Sequence, residues 1–281
     1  MRTSPFTGFT ETEHILLISI QTHLVYSAAS PCNLLLQIEA AQDAEQHDLD
    51  AELTIRPSVE NSVVQGEEQI GKRRWIRVEN EFDCKYSARV QVRRAAVDLG
   101  SYQATPLSLI PGDVTKFLMP SRYCHPEAFL DFIPRQFGQI SGGPLIADMS
   151  GWIKNHFVYD NGASHTSTTA TDSFARRTGV CRDYAHVLIA MSRAVGIPAR
   201  FVSVYAPDVV PQDFHAVAEV YLEGCWHLVD PTGMTNVPDI VRIGVGRDAA
   251  DVSFMTSYGS MVLKQQSVQV SRLEQTDISA Q

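Results

Sequence analysis

The chain of 281 residues lacks the paired cysteines, the positive charge and the long apolar run that characterise several protein classes. Its five cysteines are an odd number and contain no Cys-x-x-Cys pair, which argues against a disulfide framework and favours a reducing compartment. The formal net charge of -9 at pH 7 argues against a nucleic-acid-binding surface. No internal repeat is apparent, so a repeat architecture is not expected.

No leader or membrane segment is expected. The first apolar run, residues 15–20, is too short to span a bilayer. It follows Glu11 and Glu13, where a secretion signal would be basic. We therefore expect a cytoplasmic protein without a membrane partner. With 44% hydrophobic residues, the chain has enough apolar side chains for two cores.

Hydrophobic and polar residues alternate in the first part of the chain, at residues 16–26, 34–38 and 86–93. This period of two predicts an antiparallel β-sandwich, which we assign to residues 1–121. The alternation then ends, and a stretch with several prolines leads into segments predicted to be helical near residues 126–137 and 144–156. We therefore place a second domain at residues 122–281.

Cys181 stands between a glycine and a predicted buried helix, in the sequence Thr178-Gly179-Val180-Cys181-Arg182-Asp183. Residues 184–195 are nearly all apolar, and Gly196 and Pro198 end the helix. Cys181 then falls in the first helical turn, where unpaired N–H groups and the helix dipole stabilise a thiolate. A lone cysteine also fits a small apolar core position, so its neighbours must decide between the two interpretations.

A β-hairpin is predicted downstream of this helix. Residues 214–222 and 225–230 have the composition of two strands, with Glu223-Gly224 as the turn and Pro231 after the second strand. The strand pairing depends on the length of this turn, because the side chains of a strand alternate between the two faces of its sheet.

The hairpin brings a histidine and an aspartate together in one of two possible registers. If the turn holds two residues, His215 faces Thr232, and Asp230 is its diagonal neighbour within side-chain reach. A three-residue loop beginning at Leu222 would shift the register and separate the pair unless a bulge compensates. Thiol chemistry needs a base and a partner that orients the base, and Cys181, His215 and Asp230 supply these three residue types.

The sequence around these residues follows a longer pattern. Its segments are Gly179-Val180-Cys181-Arg182-Asp183-Tyr184-Ala185-His186, Gly196-Ile197-Pro198-Ala199-Arg200, His215-Ala216-Val217-Ala218-Glu219-Val220-Tyr221, and Trp226 with Asp230-Pro231-Thr232. Over about residues 145–260 this pattern resembles the bacterial transglutaminase-like family, which belongs to the papain-like fold group. The chain order of Cys, His and Asp is also the family's order.

The resemblance implies a nucleophile at Cys181, a base at His215 and an orienting acid at Asp230, with no cofactor and no metal. The expected fold class is α+β: an N-terminal antiparallel β-sandwich, then a papain-like, transglutaminase-like core in which a buried helix packs on an antiparallel sheet. Family members commonly carry such an N-terminal β domain. One departure is Val217, which stands where many members have Trp.

The expected chemistry is acyl transfer from a peptide or protein amide through a thioester. Water as the second nucleophile makes the protein a peptidase or amidase, and an amine makes it a transglutaminase. A catalytically silent binding module is a third possibility. We expect hydrolysis, because bacterial relatives with this layout are mostly regarded as hydrolases. The backbone N–H of Cys181 is the expected first oxyanion donor. No second donor and no oligomeric state follow from the sequence.

Other cysteines and histidines are expected to have structural roles. Cys124-His125, Cys225 and His227 match no zinc-ligand spacing. His186 lies five residues after Cys181, on the buried helix, and is expected to be a hydrogen-bonded core histidine. A loop rich in Ser and Thr at 163–171 is expected to be a solvated connection, with a position beside the site as the alternative.

Overall fold

The computed structural model describes residues 15–57 and 61–274. The outer ends of the two predicted domains, at 1–14 and 275–281, lie outside the described residues, and so do Glu11 and Glu13. The strands are β1 (Ile15–Ala28), β2 (Cys32–Leu36), β3 (Gln46–Arg56), β4 (Asn61–Gln65), β5 (Lys72–Val78), β6 (Glu81–Arg93), β7 (Val158–Tyr159), β8 (Thr178–Gly179), β9 (Ala199–Tyr205), β10 (His215–Leu222), β11 (Cys225–Val229), β12 (Val241–Gly246), β13 (Met255–Tyr258) and β14 (Met261–Leu273).

Helices are concentrated in the middle of the chain. The α-helices are α1 (Gly112–Thr115), α2 (Phe132–Phe137), α3 (Gly142–His156), α4 (Ala170–Arg176) and α5 (Cys181–Ala194). Short 3-10 turns occur at Glu67–Gln69, Leu99–Ser101, Leu107–Leu109, Lys116–Leu118, Pro126–Phe129 and Val237–Asp239. In the part of the chain that the structure describes, no helix is long and apolar enough to cross a membrane.

Two four-stranded sheets form the predicted β-sandwich, with strand orders β14-β1-β6-β3 and β13-β2-β5-β4. Their facing side chains share one apolar core, which includes Ile18 and Ile20 of β1, Leu34 of β2 and Val90 of β6. Because alternate residues of an antiparallel strand point to the same face, the period of two in the sequence is the period of burial. The antiparallel sandwich and the α+β class are thereby confirmed.

The end of the chain completes the sandwich, which the sequence analysis did not foresee. Strand β14 pairs with β1 over nearly its whole length, from Leu17 opposite Leu273 to Ala28 opposite Met261. Strand β13 pairs with β2. The predicted division between residues 121 and 122 assigns both strands to the second domain, although their sheet partners lie in the first. The boundary itself stays a prediction.

The third four-stranded sheet has the order β11-β10-β9-β12 and carries the long helix α5. Alternate residues of β10, among them Ala216, Ala218 and Val220, belong to the same apolar cluster as the buried side chains of α5. On this sheet Tyr205, Val241 and others also join the core of the sandwich, so the two parts of the molecule share buried surface. This arrangement is the buried helix on an antiparallel sheet that the sequence predicted.

Candidate active site

Cys181 is the first residue of α5, at the place where the sequence put it. Its side chain is partly exposed, while nearly all the residues that follow it in α5 are buried. The first N–H groups of a helix have no partner within the helix, so they and the dipole favour negative charge on the Cys181 sulfur.

The turn before Cys181 is closed by a buried aspartate. The fully buried carboxylate of Asp183 accepts a hydrogen bond from the Val180 N–H at 2.9 Å. Gly179 is required at this turn, because a Cβ there would come within 2.6 Å of the Asp183 Cβ. The Gly-x-Cys-x-Asp spacing therefore fixes the backbone that presents the thiol.

The hairpin adopts the two-residue turn. Glu223 and Gly224 both have positive φ, at 48° and 84°, and Leu222 pairs with Cys225. Ladder pairing ends at Ala218 opposite Val229, one residue before Asp230. This register is the one that allows His215 and Asp230 to meet.

His215 and Asp230 form a buried pair. The His215 Nε2 and Asp230 Oδ2 atoms lie 3.2 Å apart, and the side chains are 0% and 2% exposed. The other ring nitrogen, Nδ1 of His215, has no hydrogen-bond partner among the described residues. His215 and Cys181 line the same cavity, so Nδ1 is the nitrogen available for proton exchange with the thiol.

The protonation states of this pair are strongly biased. Burial alone would lower the pKa of His215, but the Asp230 carboxylate and the Cys181 side chain raise it to about 10. Burial opposes ionisation of Asp230, yet hydrogen bonds and charge from His215, with Thr232, hold its pKa down to about 2. The site therefore favours an imidazolium held by a carboxylate, the state that stabilises a neighbouring thiolate.

Two threonines after the second hairpin strand hold the Asp230 carboxylate, and the sequence analysis assigned this role to neither. Thr232 donates to Oδ1 from its N–H at 2.9 Å and from its hydroxyl at 2.7 Å. Thr235 donates to Oδ2 from its N–H at 3.0 Å and from its hydroxyl at 2.8 Å. The Asp-Pro-Thr sequence is a local signal for such an Asx-type turn and could have identified Thr232.

Tyr159 is a further residue beside the nucleophile that the sequence analysis missed. Its short strand β7 pairs in parallel with β8, which leads into Cys181. Burial raises the pKa of the Tyr159 phenol, the charge of Cys181 raises it further, and the Cys181 backbone N–H lowers it. The phenol therefore belongs to the electrostatic surroundings of Cys181, which follows Gly179, the strand partner of Tyr159. No local sequence pattern predicts this parallel pairing.

The site opens into a groove of about 510 Å³ between the helix-bearing sheet and the sandwich. Apolar side chains of Phe201, Phe214 and Phe254 line part of it, and Phe214 stacks on Phe254 with ring centroids 4.6 Å apart. Residues 255–257 of β13 and Gln266 of β14 also line it. The returning C-terminal strands thus build one side of the groove.

The structure also places the other singled-out residues. His186 is fully buried, stacks on Tyr123 and accepts a hydrogen bond from the Ala249 N–H at 3.1 Å, as a core histidine should. Burial, followed by the charges of nearby arginines, moves its pKa well below the usual value, so it is neutral.

The loop at 163–171 borders the groove through Thr166, so the expected solvated connection is wrong. Within the described ranges no group of three or more His, Cys, Asp or Glu is arranged to hold a metal ion.

Comparisons with known proteins agree with this fold. The model of the transglutaminase-like superfamily core matches residues 145–231. A crystal structure titled as a "putative cysteine protease" from Cytophaga hutchinsonii is 30% identical, with a TM-score of 0.89. That similarity covers 93% of this chain and 92% of the other.

Two curated mycobacterial proteins are also similar, and both are described as uncharacterised. The Mycobacterium leprae protein is 30% identical over 111 residues, which is 36% of this chain. The Mycobacterium tuberculosis protein is 33% identical over 123 residues, which is 38% of this chain. In both cases the match spans 39% of the relative's length.

Proposed function

The chain belongs to the transglutaminase-like superfamily, and we propose that it is a cysteine hydrolase, a peptidase or amidase that acts on peptide or protein amides. The observation that carries the proposal is the arrangement of three side chains. Cys181 begins a helix and shares a groove with His215, whose Nε2 lies 3.2 Å from the buried Asp230 carboxylate. Such an arrangement supports acyl transfer through a thioester.

In the acylation step, the Cys181 thiolate attacks the amide carbonyl carbon while His215 holds a proton on Nδ1. The new C–S bond displaces the carbonyl π electrons onto oxygen and forms a tetrahedral oxyanion. When the oxyanion collapses, the C–N bond breaks and the amine leaves with the Nδ1 proton. A thioester on Cys181 and a neutral His215 remain, and Asp230 keeps the imidazole oriented.

In the deacylation step, water gives one proton to Nδ1 of His215 and attacks the thioester carbonyl. Collapse of the second oxyanion breaks the C–S bond, releases the free acid and restores the thiolate with its imidazolium partner. Both steps create an oxyanion beside Cys181, so the same donors serve twice.

We propose the Cys181 backbone N–H and the Tyr159 hydroxyl as the oxyanion donors, with the substrate oxyanion replacing the Tyr159 oxygen as the acceptor of that N–H. The phenol is protonated at neutral pH and can donate, since its pKa lies above the ordinary value of 10. Tyr159→Phe is expected to lower kcat by on the order of 10² with little change in KM, because the lost bond forms mainly in the transition state. Tyr258→Phe, on an exposed sandwich position, is the matched control. Equal effects of the two variants would remove Tyr159 from this role.

Amine transfer is the second candidate, and one observation favours it. Asp213 lines the groove close in sequence to His215, and no cation lies within 4 Å of its carboxylate among the described residues. A carboxylate beside the thioester suits an incoming primary amine. Water, however, needs no such site, so we favour hydrolysis.

The ratio of free acid to amine adduct decides between these functions. Peptides with a carboxamide are incubated with the protein, and the concentration of a primary amine is increased through the millimolar range. We expect mainly free acid throughout, and no product from the Cys181→Ala variant. A steep shift to the adduct at low amine would establish a transglutaminase. A silent binding module would give no product and a Cys181 that alkylates no faster than the buried Cys124, whose pKa burial raises to about 12.

A cytoplasmic location remains part of this proposal. All five cysteines are free thiols, two of them with a pKa that burial raises to about 12. Free thiols are typical of a reducing compartment. Fractionation of the native host, with the protein detected by antibody, tests this location.

A further inference from the structure

The groove beside Cys181 has a cationic wall. Arg122 and Arg182 both line it, and their guanidinium carbons lie 5.1 Å and 5.6 Å from the ring centroid of Tyr123. The two positive charges therefore flank a single aromatic ring next to the nucleophile. This concentration of positive charge contrasts with the chain's formal net charge of -9.

These charges are incompletely neutralised by the protein. The carboxylate nearest to Arg182 is that of Asp183, 3.4 Å away and fully buried. The remaining contacts of the Arg182 Nη2 atom are neutral, the Ser164 hydroxyl and the His165 carbonyl, both at 2.6 Å. For Arg122, which is exposed, no carboxylate lies within 4 Å in the described parts of the chain.

The backbone that carries Arg122 is held on both sides. The N–H of Tyr123 donates to Asp248 at 2.8 Å, and Tyr123 accepts from the Ala170 N–H at 2.8 Å. On the other side, the buried Arg193 donates to the Ser121 hydroxyl at 3.0 Å. A guanidinium group on an anchored segment loses less entropy when it binds a ligand.

From this wall, and on the premise of the proposed function, we propose that the groove selects substrates with a Glu or Asp side chain near the scissile amide. The substrate carboxylate pairs with Arg122 and Arg182. Guanidinium groups suit carboxylates because their N–H donors match the two acceptor oxygens. Asp213 is the acidic residue of the groove, and it is hydrogen bonded to Gln266 at 2.7 Å. Repulsion from Asp213 directs the substrate carboxylate to the arginine wall.

The first test needs no substrate. Iodoacetate and iodoacetamide have nearly the same size but differ by one negative charge, and both alkylate a thiolate. The rate at which iodoacetate alkylates Cys181 is divided by the rate for iodoacetamide. This ratio is measured at low ionic strength in wild type, Arg122→Glu and Arg122→Gln. Because the imidazolium of His215 attracts iodoacetate in every variant, the change between variants reports on Arg122. We expect the ratio to fall by about fivefold in Arg122→Glu and less in Arg122→Gln.

Arg135→Glu is the matched control. Arg135 is exposed on α2 and does not line the groove, and its reversal changes the net charge by the same amount. A fall as large as that of Arg122→Glu would show an effect of overall charge and overturn the proposal. So would an unchanged ratio in a folded Arg122→Glu variant.

The second test uses peptide pairs that differ only by Glu or Gln at each of three positions on either side of the scissile amide. At one position we expect kcat/KM to favour Glu by about tenfold in wild type and to favour Gln in Arg122→Glu. Turnover without any preference for Glu would overturn the proposed substrate selection but would still support the hydrolase function. If no peptide is turned over but the alkylation ratio depends on Arg122, the proposed hydrolase function is refuted and the cationic wall is supported.

Discussion

Among the described residues there are two histidine–aspartate pairs, one in the sandwich and one in the helix-bearing sheet. His23 on β1 of the sandwich lies 2.9 Å from Asp83, and the side chains are 26% and 39% exposed. His215 on β10 lies 3.2 Å from Asp230, with almost complete burial. The sandwich pair is the closer one, so proximity alone does not distinguish the proposed catalytic pair. Its burial does, because the exclusion of water strengthens each electrostatic interaction between the two side chains.

The strands that carry these pairs differ in the same way. β1 alternates between buried and partly exposed residues, whereas all eight residues of β10 are buried. A sheet covered on both faces must bury its charged residues, and these then need partners. Glu219 in β10 accepts hydrogen bonds from Arg200 at 2.6 Å and Arg242 at 2.9 Å. The same burial sets the chemistry of His215 and Asp230.

Removal of each histidine gives the largest expected contrast. His215→Ala is expected to lower kcat by on the order of 10⁶, because the thiol loses its proton acceptor. His23→Ala is expected to change kcat by less than about twofold, because removal of this side chain resembles a surface substitution. Steady-state kinetics on the same peptide amide compares them. A comparable loss in both variants would mean that burial does not distinguish the two pairs.

Removal of each aspartate gives the next largest contrast. Asp230→Ala is expected to lower kcat by about 10⁴, less than the loss of His215, because orientation is lost but the base remains. The double variant of Asp230 and His215 is expected to be no worse than His215→Ala, since the two act as one unit. Asp83→Ala is the matched control, with unchanged kcat. Independent, multiplicative losses at His215 and Asp230 would count against the triad.

Stability offers a third contrast, between buried and exposed ion pairs. Glu219→Ala is expected to lower the free energy of unfolding by about 3–5 kcal/mol, because it leaves the buried Arg200 without its carboxylate partner and takes one of three from Arg242. Glu79→Ala removes the partner of Arg77 in an ion pair whose side chains are 58% and 57% exposed. It is expected to change stability by less than about 0.5 kcal/mol. Urea unfolding measures both. Equal losses would show that the buried pairs contribute no more than exposed ones.

The pH dependence of stability tests the charge state of the buried histidine and aspartate directly. The pKa of His215 is raised from 6.5 to about 10 on folding, so its stabilising contribution is complete below pH 6.5. That contribution is lost as the pH rises toward about 10. The pKa of Asp230 is lowered from 3.8 to about 2, so its contribution is lost as the pH falls through that window. Unfolding of wild type and His215→Gln across pH 6 to 10 measures the first effect. A difference between them that does not shrink with rising pH would contradict the paired imidazolium.

Within the sandwich, the sequence predicted strands whose burial alternates and missed strands whose burial does not. β1, β2 and β6 have clear apolar alternation and were predicted. β4 is exposed along its whole length and β14 over most of it, so neither has a period of two to detect. β14 is a strand because β1 offers it a hydrogen-bonding edge, and such an edge exists only in the folded sandwich.

Within the site, the sequence by itself determined what depends on neighbours along the chain. Cys181 at a helix start and the glycine that admits Asp183 follow from local backbone chemistry. The sequence left two turn lengths open, and the structure has the two-residue turn that sets the hairpin register. The roles assigned to His215 and Asp230 came from that register together with the family pattern, and they stay predictions.

Tertiary structure alone decided which distant segments surround the nucleophile. Tyr159 reaches Cys181 through a parallel pair of strands, and Arg122 reaches the groove through a segment anchored by Asp248 and Arg193. The groove wall from β13 forms only when the end of the chain returns to the sandwich. These contacts join residues that are far apart in the chain. Hydrophobic burial brings them together, and because it is not directional, no local sequence pattern encodes them.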